Sequence, residues 1–119
     1  MSLDKNYFVI AGFDIKHYVT DEFDNWICTE ESEKYHHFQS IGNIQLFDDP
    51  VSGDHLYFGW ILATGDEYYL EDTKIEIRDL SGIGIEVSTE LKKLFDQGII
   101  KDYYNLIDNY QIIVFEECY

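Results

Sequence analysis

The sequence predicts an α+β fold in which a mostly antiparallel sheet of about five strands packs against one main helix. Three observations lead there. Apolar runs rich in aromatic and β-branched residues recur along the chain. Gly, Asp and Pro punctuate them with turn chemistry. One late segment alone shows a sustained apolar stripe at the helical period. The 119 residues contain eight scattered Gly and one Pro, with no linker, repeat or low-complexity tract, so residues 1–119 read as a single domain.

The elements follow in order. Tyr7-Phe8-Val9-Ile10-Ala11-Gly12-Phe13 is a continuous apolar run suited to a buried strand. Residues 14–34 hold too few apolar side chains for a long amphipathic helix and read as irregular, with a helical turn around 21–26. Alternation returns at Ile44-Gln45-Leu46, and a second apolar run spans His55 to Ala63. Between them, Asp48-Asp49-Pro50-Val51-Ser52-Gly53-Asp54 supplies a turn, so the two runs form a hairpin. Tyr68 to Leu70 reads as a short extended stretch, and Lys74-Ile75-Glu76-Ile77-Arg78 alternates as a further strand.

Val87, Leu91, Leu94 and Phe95 then fall on one helical stripe, which Leu80 and Ile83 extend. Ser81 or Asp79 is placed to cap the start, Glu90 and Lys93 are spaced to pair, and Gly98 is placed to end the helix in a left-handed conformation. Tyr110-Gln111-Ile112-Ile113-Val114-Phe115 is a last buried strand, for which parallel pairing through a right-handed crossover is open.

Charge sets the functional expectations. Twenty-four carboxylates against eight Lys and Arg leave a formal charge of −16. Such a surface repels nucleic acid and anionic membranes and attracts basic partners. Ten Tyr, eight Phe and two Trp separate the chain from a disordered acidic tail and give it a core to bury. No apolar run is long enough for a membrane span, and the start lacks the apolar region of a secretory signal. Cys28 and Cys118 are too few for a four-thiolate zinc site or a disulfide scaffold, so reduced thiols in a cytoplasmic protein are expected.

Chemistry-bearing patterns are sparse. A single Arg and the lack of a Gly-rich loop count against phosphate recognition. Adjacent His36 and His37 would point to opposite faces of a strand and could not share a metal. Cys28 beside either histidine matches no nucleophile signature, and nearby Glu residues would raise its thiol pKa rather than lower it. No catalytic residue, enzymatic activity or cofactor is therefore expected. Asp48, Asp49 and Asp54, next to His55, offer oxygen ligands for calcium or magnesium, but their spacing departs from an EF-hand loop and Asp commonly caps turns.

That leaves the acidic surface. Asp21, Glu22, Asp24, Glu30, Glu31 and Glu33, with Asp66 and Glu67, are the expected partner-binding residues. Closely spaced carboxylates on a rigid frame resemble the phosphate ladder of a duplex and suit a basic protein surface, such as the channel of a nucleic-acid enzyme. The competing reading is that the acids only keep an aromatic-rich domain soluble. A small-molecule or divalent-cation binding domain is the alternative from another class.

Gly42 to Pro50, continuing into Ser52-Gly53-Asp54 and Tyr57-Phe58-Gly59, resembles small acidic proteins encoded by bacteriophages and prophages, and Ile112 to Cys118 is similar to the same group. The resemblance implies no catalytic residues. It implies a context: compact acidic phage proteins that bind and inhibit host enzymes in the host cytoplasm.

Overall fold

The computed structural model describes residues 5–36, 40–48, 55–66 and 74–118. Four strands, β1 (Lys5–Asp14), β2 (Ile44–Asp48), β3 (Leu56–Asp66) and β4 (Gln111–Cys118), form one sheet in the order β2-β3-β1-β4. Every neighbouring pair is antiparallel. The helices are α1 (Phe23–Trp26), α2 (Glu30–Glu33), the 20-residue α3 (Ile77–Asp96) and α4 (Tyr103–Leu106). A single 3-10 turn, Ile107–Asn109, leads from α4 into β4. The α+β architecture is as the sequence predicts, with four strands among the described residues rather than about five.

β1 is a central strand, which is why its sequence is apolar without a break from Tyr7 to Phe13. Phe13 pairs with Phe58, which in turn pairs with Leu46, and all three are buried in the same cluster as Val87, Leu91 and Leu94 of α3. Ile10 pairs with Ile61, and Phe8, Ile10, Phe47 and Ile61 are buried together in a second cluster. An irregularity in the β1–β3 register between Val9 and Ile10 accompanies this apolar run.

The sheet is strongly curled. Phe47 of β2 and Phe115 of β4 lie at opposite edges, three strand spacings or roughly 14 Å apart across a flat sheet, and are further separated along it, Phe47 being level with Asp14 of β1 and Phe115 with Phe8. Their ring centroids are 5.0 Å apart, and Phe8 lies 4.8 Å from Phe47 and 5.6 Å from Phe115. Rings this close require the sheet to bend around that face. Glycine permits the bend, because Gly12 and Gly59 face each other across β1 and β3. A Cβ on Gly59 would stand 2.7 Å from the Ala11 carbonyl oxygen, and one on Gly12 would overlap the Phe58 carbonyl.

α3 is held by its stripe and by two tyrosines. Gly84, Val87, Leu91 and Leu94 are its buried residues. The Tyr110 hydroxyl donates to the Leu80 carbonyl at 2.7 Å, and the Tyr103 hydroxyl donates to the Ser88 carbonyl at 2.9 Å. Gly98, at φ 78°, closes the helix as expected, and Lys93 Nζ reaches Glu90 Oε1 at 3.0 Å.

Three expectations are corrected. Lys74–Arg78 is not a strand: Glu76 is the extended N-cap residue of α3, and Ile77 opens the helix with 85% of its surface exposed. Five alternating residues do not discriminate between periods, and Asp79 in the first turn complements the helix dipole. The residues expected to cap the helix, Asp79 and Ser81, therefore lie inside it. Finally, β4 runs in the same direction as β3 but does not pair with it. β1, antiparallel to both, occupies the position between them. The expected Tyr68–Leu70 stretch lies outside the described residues.

Candidate functional site

Residues 21–33 are a short acidic excursion tied down at several points. Val19 bridges Ile100, the Thr20 hydroxyl donates to the Gly98 carbonyl at 2.6 Å, and Lys101 N–H donates to the Tyr18 carbonyl at 2.8 Å. These bonds fasten the segment to the chain just past α3. α1 is one turn long and drives Trp26 into the core, where its ring lies 6.0 Å from Tyr35 and 5.8 Å from Phe23. Ser32 of α2 is buried, and its hydroxyl donates to the Ile27 and Thr29 carbonyls at 2.9 and 2.8 Å. Helices this short are unstable alone, so these contacts are what fix their shape.

With Trp26 and Ser32 facing inward, the carboxylates face outward. Asp21, Glu22, Asp24, Glu30, Glu31 and Glu33 are all exposed. No Lys, Arg or His occurs between His17 and Lys34. Glu31 accepts a hydrogen bond from Gln97 at 3.2 Å, which binds the acidic face to the end of α3. Lys34, the next cation along, turns away: its Nζ lies 3.8 Å from Glu90 and 4.9 Å from the Tyr35 ring centroid. Lys92 pairs with Asp96 and Lys93 with Glu90. The structure thus brings the six predicted acids of 21–33 onto one anchored excursion.

Beneath it lies a polar node. Tyr35 is buried, and its hydroxyl donates to Glu90 Oε2 at 2.7 Å. Burial pushes the Tyr35 pKa well up, and the hydrogen bond to Glu90 and the charges of Glu90 and Glu31 add to the shift. Burial alone would raise the Glu90 carboxyl. Hydrogen bonds from Tyr35 and Lys93, with the charges of Lys93 and Lys34, outweigh it and hold Glu90 below the usual range.

The other predicted residues are placed elsewhere or lie outside the described region. Asp66 is exposed at the end of β3 that pairs with Asn6, whereas Ile15, which begins the excursion toward α1, binds the Leu56 carbonyl at the opposite end. Glu67 lies outside the described residues. Of the candidate metal ligands, Asp48 is exposed at the end of β2, and Asp49 and Asp54 lie outside the described residues. Among the described residues, no group of three or more His, Cys, Asp or Glu is arranged to hold a metal ion. His55 packs flat on Tyr57 at 4.7 Å, and its Nε2 lies 3.6 Å from Glu117 Oε1 on the concave side of the sheet. Cys28 is an exposed thiol whose Sγ lies 3.5 Å from the Asp24 carbonyl. Tyr103 is buried and Tyr104 is exposed.

One surface was missed. Read as a buried strand, β4 is instead an edge strand with Ile112 and Val114 exposed. Its alternation of outward Ile112, Val114 and Glu116 with inward Ile113, Phe115 and Glu117 is masked in the sequence because apolar residues occupy both faces. Among the described residues, no helix is long and apolar enough to cross a membrane. No protein-family model, curated protein or solved structure matches the chain.

Proposed function

We propose that this protein is a non-enzymatic binding domain whose acidic excursion at 21–33 engages a basic surface of another protein, in the manner of a phage-type inhibitor or nucleic-acid mimic. The observation that carries the reading is the anchoring of that excursion. Of the six exposed carboxylates, Asp24, Glu30, Glu31 and Glu33 stand on two single-turn helices held by Trp26, Ser32 and Tyr35, and Asp21 and Glu22 lead into the first of them. Acids that served only solubility would need no fixed frame, since their effect depends on charge rather than position. Carboxylates fixed in place oppose a fixed array of Lys and Arg without ordering themselves at the moment of binding. The resemblance to phage-encoded acidic proteins supports a host enzyme as the target class, its basic channel meeting carboxylates where phosphates would lie.

The test is capture from a bacterial lysate at about 150 mM salt, where screening falls off over roughly 8 Å. Three baits are compared: the native chain, a variant with Asp21, Glu22, Asp24, Glu30, Glu31 and Glu33 changed to Asn or Gln, and a variant with Asp14, Asp48, Glu76, Asp79, Glu86 and Asp96 changed likewise. All six control positions are exposed, and both variants carry the same net charge. The proposal predicts one stoichiometric partner retained by the native and control baits and lost by the 21–33 variant. Equal loss from both variants would mean that charge acts without regard to place, and the reading would fall.

A further inference from the structure

The two edges of the sheet are treated differently. β2 is five residues long, and its Leu46 N–H is already bonded to the Tyr35 carbonyl at 3.0 Å. β4 is eight residues long and pairs with β1 without interruption from Lys5↔Cys118 to Gly12↔Gln111. Among the described residues, no backbone hydrogen bond other than those to β1 reaches Gln111–Glu116. In an antiparallel pair, alternate residues direct their N–H and C=O groups away from the partner. β4 therefore presents a row of open backbone donors and acceptors.

Its side chains protect it only at its end, where Glu117 points inward. Free edges are usually blunted by Lys, Pro or a bulge. β4 has no Lys or Pro and no break in its pairing with β1. Ile112 and Val114 are 52% and 73% exposed and lie on the same face as Tyr110, whose ring packs against Gly84 of α3. Tyr110 also lines an open groove of about 420 Å³ between α3 and α4, with Ile85 and Ile107 on its walls. The apolar strip is thus long and narrow, suited to an extended chain. Acids predominate along it: beyond Lys101 the sequence has no Lys or Arg, Asp102, Asp108 and Glu116 are exposed, and the cation on the neighbouring strand is Lys5, paired with Cys118 at the far end.

We propose that β4 is a strand-addition site for an extended cationic segment of a partner protein, one that sets apolar residues beside Ile112 and Val114 and, on the same face, Lys or Arg beside Glu116. Backbone pairing would supply affinity and the exposed Ile and Val the side-chain register. Charge complementarity selects this occupant over a second copy, which would set one −16 chain against another. The site is separate from the 21–33 excursion and does not depend on that assignment.

The probe is an eight-residue amidated Val–Lys peptide, with Val and Lys at successive positions of one face and Thr at the positions between, and the control is a Val–Glu peptide of the same pattern. Each is added to the full chain at about 150 mM salt, and amide hydrogen exchange is read residue by residue. The proposal predicts that alternate amides of 111–116 slow at least tenfold with the Val–Lys peptide and not with the Val–Glu peptide. The same protection persists in the 21–33 neutralised variant. Ile112→Lys with Val114→Lys abolishes it while leaving the melting temperature within a few degrees. Protection confined to residues near 21–33, unchanged exchange in β4, or β4 protection that rises with protein concentration alone would each overturn the proposal, the last by assigning the edge to a second copy.

Discussion

At the scale of single residues, Tyr35 carries the most weight, because it joins the acidic excursion to both the core and α3. Its ring lies 5.1 Å from Phe58, edge to face, while its hydroxyl bonds Glu90. Hydrogen bonds to charged groups contribute about 1.5–3 kcal/mol, and partial exposure of Glu90 lowers that. Tyr35→Phe should cost about 1–2 kcal/mol in urea unfolding at neutral pH. The sign of the pH dependence follows from the shifts. Glu90 is held below its ordinary value of 4.5, so its contribution is present above that pH and fades as pH falls through the lower folded value. The stability gap between the native chain and Glu90→Gln should therefore be open at pH 7 and close in acid. A gap that widened in acid would contradict the arrangement. Tyr35, raised in the fold, works the other way: its contribution is present below pH 10 and is lost as pH rises beyond it. Gly12 makes a second residue-scale test. A methyl group there meets the Phe58 carbonyl, which cannot move without breaking the sheet, so Gly12→Ala should cost about 3 kcal/mol or more.

At the scale of elements, α3 binds the sheet to the acidic excursion through one stripe. Leu91 is fully buried at its centre, and Leu91→Ala should cost about 2–5 kcal/mol in urea unfolding. Ile85, on the same helix but exposed, should tolerate Ile85→Ala within about 0.5 kcal/mol. The stripe was legible in the sequence because Val87, Leu91 and Leu94 repeat at a period that only a helix uses. β1 and the β2–β3 hairpin were legible because their apolar runs are long and bounded by turn residues. The start of α3 was not, since Ile75 and Ile77 alternate over a span too short to exclude either period. The exposure of β4 was hidden for another reason. Nothing local to Ile112 and Val114 states that β4 is the outer strand among the described residues; that is a property of strand order, set by its pairing with β1 at the other end of the chain. The acidic excursion was half legible. Its charge is plain in the sequence, but the packing of Trp26 and Ser32 that fixes it depends on Tyr35, Phe58 and the end of α3 coming together in the fold.

At the scale of the whole molecule, the −16 charge opposes compaction through self-repulsion. Monovalent salt should therefore raise the melting temperature steadily between about 0.01 and 0.15 M, as the Debye length shortens from roughly 30 to 8 Å. Calcium or magnesium at matched ionic strength should add little beyond that, and a saturable extra gain abolished by Asp49→Asn with Asp54→Asn would instead favour a cation site at that turn. The central claim is that one anchored part of the charge, not its total, recognises a basic partner. It is tested most directly by the association rate of the captured partner as a function of ionic strength, measured for the native chain, the 21–33 neutralised variant and the equal-charge control. Steering by a localised acidic face predicts that the rate for the native and control chains falls steeply with salt, while the 21–33 variant starts slower and responds weakly. Identical salt slopes for the two variants would contradict the account and leave the charge as a solvated coat.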